Sequence, residues 1–363
     1  MHLDYWQGRR VFVTGHTGFK GAWLCLLLQR LGAKVAGYAL APPTQPSLFE
    51  LAGVDERRDS TIADIRDLDR LTAAIGAFGP DIILHMAAQS VVLNSYADPV
   101  NTYSSNVMGT AHVLEAVRRL GSRLAVVNVT TDKVYQNQGW PWGYREIDRL
   151  GGRDPYSNSK ACSELATEAY RQSFFPLEHL DQHGVAIACA RAGNVIGGGD
   201  WTPHQLIPSA VAAFARGQAV ELRSPRAVRP WQHVLDCLTG YLMLAQRAAA
   251  SPREFSGDWN FGPLSEDACT VAEVAESLAS HWGLETAWRQ APGIHPHEEM
   301  ELRLDCSKTR RLLGWRCQLS TAAAIAWVAE WYRHTQSGVT PRSVCEWQIE
   351  AYLALGSGGG AIQ

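Results

Sequence analysis

Three glycines near the N-terminus constrain the fold more than any other feature of this 363-residue chain. Gly15, Gly18 and Gly21 follow a short apolar run, Arg10-Val-Phe-Val-Thr14, and open an apolar stretch over residues 21–31 that stops at a further glycine. The run predicts a buried β-strand, and the stretch predicts a helix with a glycine cap. A strand, a glycine turn and a helix in this order are typical of a dinucleotide-binding unit.

The alternation of strand and helix continues through the first half of the chain. Further β-rich runs are predicted at residues 34–38, 80–86, 124–130 and 185–191, and helices at residues 99–120 and 156–174. Parallel strands joined by helices form right-handed crossovers. The predicted fold class is therefore α/β, a doubly wound parallel sheet of the Rossmann type, whose ligands bind at the carboxyl ends of the strands.

The second half is less regular and predicts a smaller α/β domain. Helical patterns recur at residues 206–217, 234–250 and 271–282. We predict a cofactor-binding domain over residues 1–190, onto which about residues 230–262 pack back. A substrate-binding domain is predicted over residues 191–229 and 263–350. The remaining tail, residues 351–363, contains a Gly-Ser-Gly-Gly-Gly run and is expected to fray.

Composition argues against several classes of function. The formal net charge of −3 and the lack of a long basic run predict no nucleic-acid partner. No stretch approaches the ~20 apolar residues of a membrane span, and the N-terminus has no hydrophobic secretion core. We therefore expect a cytoplasmic protein without a membrane partner. The eight cysteines form no C-x-x-C pair, so neither a metal site nor a disulfide framework is expected.

The glycine turn predicts the cofactor. Gly15 permits a sharp turn, Gly18 lets the backbone approach a pyrophosphate, and Gly21 allows close helix packing. The second strand ends without the acidic residue that usually binds a ribose hydroxyl, and no arginine follows that would attract a 2′-phosphate. NAD is expected, although charge alone does not separate it from NADP. Asp64, after a predicted third strand, is either an adenine contact or a solvated loop residue.

Five residues predict the chemistry. Tyr156 and Lys160 lie one helical turn apart, and an ammonium near a phenol lowers its pKa by favouring the phenolate. Such a phenolate can take a proton from a sugar hydroxyl while hydride leaves for a nicotinamide. Thr131, at the end of a predicted strand, can bind the same hydroxyl. A dehydrogenase or 4-epimerase needs only these groups, so the adjacent Asp132 and Lys133 predict a second chemical step.

These motifs together resemble the extended short-chain dehydrogenase/reductases. More narrowly, four longer blocks resemble the sugar-nucleotide 4,6-dehydratases, and among them those that act on CDP-glucose. The blocks are residues 142–146, 150–160, 190–201 and 229–234, and the similarity extends from about residue 6 to residue 315.

The resemblance implies a lyase that oxidises C4, eliminates water across C5 and C6, and returns the hydride to C6, with NAD regenerated in place. Tyr156, Thr131 and Lys160 would deprotonate the C4 hydroxyl. Asp132 would protonate the departing C6 hydroxyl. Lys133 stands where dTDP-glucose dehydratases carry the glutamate that removes the C5 proton. It would act either as that base or as a cation that stabilises the enolate.

The resemblance also implies two sets of binding residues. The cofactor set is Gly15, Thr17, Gly18, Phe19, Lys20, Gly21, Asp64, Ile65, Ala87, Ala88, Gln89, Asn106, Tyr156 and Lys160. The substrate set is Gln89, Asn194, Arg191, Arg229 and His233, with Arg229 as a two-pronged diphosphate ligand. One departure is visible: Leu93 stands where relatives usually carry an arginine.

Several alternatives stay open on the sequence alone. A dTDP- or GDP-sugar dehydratase or a 4-epimerase would share this fold, and a non-catalytic NAD-binding protein would share the cofactor turn. The intact Tyr156–Lys160 pair disfavours the last of these. No residue pattern reads the nucleotide base. Enzymes of this kind commonly pair through two helices, so a homodimer or homotetramer is expected. The product would suit dideoxysugar synthesis for lipopolysaccharide O-antigen.

Overall fold

Parallel β-strands form the centre of this computed structural model, which describes residues 2–55, 59–121, 123–264, 267–293 and 301–357. The strands are β1 (Arg10–Thr14), β2 (Lys34–Ala39), β3 (Ser60–Ile62), β4 (Ile82–His85), β5 (Ala125–Val129), β6 (Ala186–Ala192), β7 (Val195–Ile196), β8 (Val220–Leu222), β9 (Val228–Arg229), β10 (Gln232–His233), β11 (Gly257–Phe261), β12 (Cys269–Thr270) and β13 (Trp288–Gln290).

The helices mostly connect these strands. They are α1 (Phe19–Arg30), α2 (Leu48–Leu51), α3 (Leu68–Phe78), α4 (Val92–Ala97), α5 (Pro99–Tyr103), α6 (Gly109–Leu120), α7 (Pro155–Ser173), α8 (Leu180–His183), α9 (Leu206–Phe214), α10 (Val234–Ala250), α11 (Pro252–Phe255), α12 (Val271–Ser280), α13 (Thr321–Gln336) and α14 (Pro341–Ser357). None of the helices in the described ranges is long and apolar enough to cross a membrane.

The large sheet has seven parallel strands in the order β11-β6-β5-β4-β1-β2-β3. Strand β1 lies between β2 and β4, so the direction of sheet growth reverses there. The crevice beyond the carboxyl ends of β1 and β4 is the usual ligand position in such a sheet. Strands β4, β5 and β6 are buried along their whole length, as expected when helices cover both faces.

Each face of the sheet has its own core. On one face, α1 and α10 contribute a large cluster that includes Trp23, Leu238 and Trp259. On the other face, α3 and α6 contribute a smaller cluster that includes Ile75 and Val117. The predicted fold class is confirmed, and its physical basis is this pair of apolar layers on a parallel sheet.

The smaller strands lie beyond the sheet and build the cap over its carboxyl edge. They form three two-stranded pairs: β7 with β10, β9 with β12, and β8 with β13. Strand β11 returns to the large sheet beside β6, and α10 packs against β5 and β6. The exact domain boundaries, at residues 190, 229 and 262, stay a prediction.

The helix predicted over residues 99–120 is continuous but not uniform. Helix α5 is followed by a π-helical turn at Ser104–Met108 and then by α6. Asn106 lies inside the π-turn and is fully buried. A π-turn inside a helix commonly marks a functional position, because it redirects one side chain.

The C-terminal prediction is wrong for residues 351–357, which are helical rather than frayed. Helix α14 extends to Ser357 because Tyr352 is buried and its hydroxyl donates to Asp236 Oδ1 at 2.6 Å. Burial raises the pKa of Asp236 to about 6, and its Oδ1 accepts both this hydrogen bond and one from the Gln318 N–H. Residues 358–363 lie outside the described residues.

Replacing Tyr352 with phenylalanine should lower the free energy of unfolding by about 1–3 kcal/mol, because a buried carboxyl loses one of its donors. Tyr103→Phe is the matched control. Its hydroxyl donates to Asn158 Oδ1 at an exposed position, and its loss should cost less than about 0.5 kcal/mol. Urea denaturation of both variants checks this. Equal losses would show that the Tyr352 hydroxyl does not anchor α14.

Candidate active site

The glycine turn forms a cradle at the crevice between β1 and β4. Gly15 has φ +78°, and a Cβ there would lie 2.8 Å from the Ala87 backbone nitrogen. A Cβ on Gly21 would lie 2.2 Å from the Gly15 carbonyl oxygen. Gly18 is different: its Cβ would meet nothing closer than 3.5 Å and would fill the open space above the turn.

This cradle fits a dinucleotide pyrophosphate. Helix α1 begins at Phe19 with Gly18 as its N-cap, and Gly18 has no side chain to bind the first-turn N–H groups. Those N–H groups have no partner within the helix and carry the positive end of its dipole. Thr17, beside the turn, donates its hydroxyl to the Leu40 carbonyl at 2.9 Å, which joins the turn to the end of β2.

The remaining cofactor candidates lie around the same crevice. Ala87 and Ala88 lie two and three residues after the end of β4, and the Ala87 N–H donates to the Thr14 hydroxyl at 3.2 Å. Asn106 accepts from the Gln89 N–H at 2.8 Å and donates to the Gln89 carbonyl at 3.0 Å. The buried side-chain amide of Asn106 therefore holds the backbone of Gln89 in the loop after β4.

Asp64 and Ile65 follow β3 at the far end of the crevice. Asp64 accepts hydrogen bonds from the backbone and guanidinium of Arg66, which hold its pKa below the usual range. Ile65 is buried against Gly109 of α6, where a Cβ would lie 2.8 Å from its side chain. Both residues are at the strand ends, as predicted. Their contact with an adenine stays a prediction.

Tyr156 and Lys160 lie in the first turns of α7, beside the end of β5. Lys160 is buried and its ammonium donates to the Val129 carbonyl at 2.9 Å. Burial lowers the pKa of Lys160 to about 8; Glu164 and Cys189 oppose this shift, and Lys20 adds to it. The pKa of Tyr156 is raised by burial, although a hydrogen bond with the Thr131 hydroxyl partly opposes that. The predicted lowering of the Tyr156 pKa is therefore wrong, because burial outweighs stabilisation of the phenolate.

Asp132 is a buried carboxyl at the carboxyl end of β5. It opens a 3₁₀ turn, Asp132–Val134, whose N-cap is Thr131. Oδ1 accepts from the Thr131 hydroxyl at 3.0 Å, whereas among the described residues Oδ2 has no hydrogen-bond partner. Oδ2 faces Gly193, where a Cβ would lie 3.1 Å away. Burial raises the pKa of Asp132 although Lys133 and Arg229 oppose it, so this carboxyl is suited to hold and donate a proton.

A cavity of about 930 Å³ opens between the sheet and the cap, and of the catalytic candidates Lys133 lines it, whereas Thr131, Asp132, Tyr156 and Lys160 are not among its lining residues. Its wall includes Lys133, Asn194 and Arg229, which the sequence predicted. It also includes two cations that sequence reasoning missed, Arg153 and Arg223. Four cations against two carboxylates, Asp154 and Glu221, give the lining a positive balance that suits a diphosphate. Leu93, the departure from the related sequences, lines the same cavity.

Arg191 does not reach this cavity, and its predicted substrate contact is wrong. It is 1% exposed. Its guanidinium pairs with the buried carboxylate of Glu164 and donates to the Tyr135 hydroxyl at 2.8 Å and to Asp258 at 3.2 Å. Because Glu164 follows Lys160 by four residues, its place on the same helix face could have been read from the sequence.

His233 and Gln89 are also absent from the cavity wall. His233 is fully buried, caps α10 through the Leu235 N–H, and lies against the rings of Trp23 and Trp327. Gln89 donates its amide to Thr102 and accepts from the Val91 N–H, so its side chain stabilises the loop. The predicted substrate contact of His233 is wrong, because this side chain is fully enclosed by packing, whereas that of the half-buried Gln89 stays a prediction.

The fold, the glycine cradle and the Thr131–Tyr156–Lys160 group define an extended short-chain dehydrogenase/reductase. The chain belongs to the family described as GDP-mannose 4,6 dehydratase, whose model matches residues 12–327. It is 50% identical over 330 residues to the CDP-glucose 4,6-dehydratase of Salmonella typhimurium, covering 91% of this chain and 92% of that protein.

Solved structures show the same fold. The dTDP-glucose 4,6-dehydratase of Streptomyces venezuelae, solved with NAD bound, has a TM-score of 0.76 at 27% identity over 92% of this chain and 99% of its own. The UDP-glucose 4-epimerase of Thermus thermophilus, also with NAD, has a TM-score of 0.76 at 25% identity over 91% and 100%. Fold similarity alone therefore does not separate dehydration from epimerisation.

Gly18→Ala and Gly21→Ala should separate cofactor binding from folding. The Gly18 backbone is extended (φ −77°, ψ 168°), so alanine should leave stability within about 1 kcal/mol but lower NAD affinity at least about tenfold, by filling the cradle. Gly21→Ala should instead destabilise the fold by about 1–3 kcal/mol through its clash with Gly15. Calorimetric NAD titration and thermal unfolding check both, and unchanged NAD affinity in Gly18→Ala would contradict the cradle.

Proposed function

We propose that this chain converts CDP-glucose to CDP-4-dehydro-6-deoxy-glucose, with NAD regenerated in every cycle. The observation that supports this most is the pair Asp132 and Lys133, which share one short turn after Thr131, with Lys133 lining a cavity of positive balance. An enzyme that only oxidises or epimerises C4 has no need of a second acid and base. The 50% identical relative from Salmonella typhimurium supports the choice of CDP-glucose.

Oxidation at C4 requires removal of the hydroxyl proton. When bound, NAD takes the hydride from C4 and later returns it to C6. Tyr156 takes the hydroxyl proton, and the Thr131 hydroxyl stabilises the phenolate that makes this possible. The ammonium of Lys160 supplies a positive charge to the site, and its hydrogen bond to the Val129 carbonyl fixes its position. Because burial raises the pKa of Tyr156, the phenolate depends on groups that stabilise its charge, and the Thr131 hydroxyl is one of them.

Elimination follows from the 4-keto group, which acidifies the C5 proton. Lys133 lines the cavity and either takes this proton or stabilises the enolate that forms. Asp132 donates its proton to the C6 hydroxyl, which departs as water. After the hydride returns to C6, C5 takes up a proton again, and the proton that Tyr156 accepted balances the one that Asp132 gave up. The raised pKa of Asp132 and its unpartnered Oδ2 support this assignment, since an acid must hold its proton until the leaving group is in reach.

The cavity wall supports binding of a nucleoside diphosphate. Arg229 and Asn194 lie on the cap side, and the charge of Arg229 also reaches Asp132. Arginine suits a diphosphate because its planar fork binds two oxygens at once. Leu93 leaves one wall apolar where relatives usually carry an arginine.

We further propose a homodimer or homotetramer in the cytoplasm that serves dideoxysugar synthesis for lipopolysaccharide O-antigen. Exposed apolar side chains on the helices from α5 to α7 support pairing through this surface: Val100, Met108, Leu165 and Phe174.

Incubation with CDP-, dTDP-, UDP- and GDP-glucose, without added cofactor, tests the function directly. We expect loss of one water from CDP-glucose, at a rate at least about tenfold above the other three, by mass spectrometry of the products. Loss of water from none of them would refute the proposal. An isomer of unchanged mass would indicate an epimerase.

Lys133→Ala should stop the exchange of the C5 proton with solvent while C4 oxidation continues. The measurement is deuterium incorporation at C5 together with the absorbance of the reduced nicotinamide. Lys133→Arg is the matched variant, because arginine keeps the charge but cannot act as a base. If the arginine variant exchanges the C5 proton and the alanine variant does not, Lys133 stabilises the enolate. If the alanine variant still exchanges this proton, Lys133 takes no part in the step.

A further inference from the structure

Thr130 is a buried residue at the point where β5 ends and the catalytic turn begins. Its backbone N–H donates to the Ala190 carbonyl on β6 at 2.9 Å, and its hydroxyl donates to the Glu164 carboxylate on α7. Asn128, two residues earlier and on the same face of the strand, donates to the Thr167 hydroxyl of α7 at 2.9 Å. Side chains therefore join α7 to β5 at two levels, and the contact between Thr130 and Glu164 is the level nearer the catalytic residues.

Thr130 lies between two residues whose positions the chemistry requires. The Val129 carbonyl, just before it, accepts from the Lys160 ammonium at 2.9 Å. Thr131, just after it, is the N-cap of the short turn that begins with Asp132. Because both neighbours share a peptide bond with Thr130, a contact that fixes Thr130 also fixes the direction of the Val129 carbonyl and of the Thr131 side chain.

The Glu164 carboxylate that receives the Thr130 hydroxyl is itself held from the other side. Nε of Arg191 donates to its two oxygens at 3.0 and 2.8 Å. The same guanidinium donates to the Tyr135 hydroxyl at 2.8 Å and to Asp258 on β11 at 3.2 Å. A buried carboxylate in a charged hydrogen-bond network of this kind has little freedom to move. The Thr130 hydroxyl is therefore attached to a rigid acceptor.

We propose that Thr130, held by Glu164, is a positioning residue of the active site. Glu164 lies on α7 four residues after Lys160 and eight after Tyr156, so its contact with Thr130 sets the strand end that carries Thr131 against the helix that carries the other two groups. Both oxygens of the carboxylate already have protein partners, so Glu164 acts through its neighbours and not on the substrate. The effect on rate rests on the function proposed above, whereas the effect on the backbone does not.

A merely structural contact would have different consequences. It would lower the stability of the fold and leave the turnover of each folded molecule unchanged. A positioning contact lowers kcat, because a displacement of about 1 Å at a reacting group can cost about hundredfold in rate. It leaves KM nearly unchanged, because Arg229 and Asn194, the proposed diphosphate contacts, lie on the cap side of the cavity.

Thr130→Val removes the hydroxyl and leaves the Glu164–Arg191 pair in place. We expect kcat for loss of water from CDP-glucose to fall at least about tenfold, with KM and the affinity for NAD within about twofold of the wild type. Thr130→Ser keeps the hydroxyl and should restore kcat to within about threefold of the wild type. Failure of the serine variant to exceed the valine variant would overturn the proposal.

Thr167→Val is the matched control, since it also removes a buried hydroxyl between α7 and β5. Thr167 accepts from Asn128 at 2.9 Å and lies three residues after Glu164, further from the strand end. Its loss should lower the melting temperature about as much as Thr130→Val does, while kcat stays within about twofold of the wild type. Equal values of kcat in the two valine variants would show that Thr130 only stabilises the fold.

Hydrogen–deuterium exchange of the catalytic turn tests the same contact without any turnover. The Lys133 N–H donates to the Thr131 hydroxyl and the Val134 N–H to the Thr131 carbonyl, both at 3.3 Å, so both amides are protected only while Thr131 keeps its place. They should exchange at least about fivefold faster in Thr130→Val than in Thr167→Val. Equal exchange would contradict the proposal. If the wild type dehydrates no sugar nucleotide, the proposed function fails, and exchange still decides whether Thr130 holds the turn.

Discussion

The buried ion pair between Arg191 and Glu164 ties together the elements that form the active site. Burying either charge without its partner would cost several kcal/mol, so the two side chains must become buried as a pair. Glu164 lies on α7, one turn after Lys160, and it also accepts from the hydroxyl of Thr130 at the end of β5. Arg191 lies on β6 and reaches Asp258 on β11. One pair therefore aligns a helix with three neighbouring strands, and the catalytic residues lie at the ends of those elements.

Burial is the dominant electrostatic influence in this site. It raises the pKa values of Tyr156 and Asp132 and lowers that of Lys160, so each group is pushed towards its neutral form. A raised pKa suits Asp132, which must donate a proton. It does not suit Tyr156, which must accept one. A hydrogen bond with Thr131 opposes the shift at Tyr156, and the charges of Lys133 and Arg229 oppose the shift at Asp132.

Much of the fold could be predicted because its signals are local. The strand Arg10–Thr14 and the helix Val234–Ala250 have the predicted bounds, since apolar runs and glycine stops are written in consecutive residues. The positions of Tyr156, Lys160, Thr131 and Asp132 near one another follow from strand ends in a parallel sheet. The substrate set was predicted less well. Arg191 and His233 have suitable chemistry, but the sequence does not show whether a polar side chain faces a cavity or a buried partner.

The sequence by itself determined the doubly wound sheet, the glycine turn and the catalytic residue types, because each depends on spacing along the chain. Only the tertiary structure decided which charges meet. Arg191 pairs with Glu164 at a separation of 27 residues, Tyr352 with Asp236 at 116, and Lys20 with Tyr241 at 221. These contacts depend on how helices pack across a sheet, and no local pattern encodes that distance. The glycine turn thus predicted a cofactor site, and the packing of α10 against α1 brought Lys20 of that turn into contact with Tyr241.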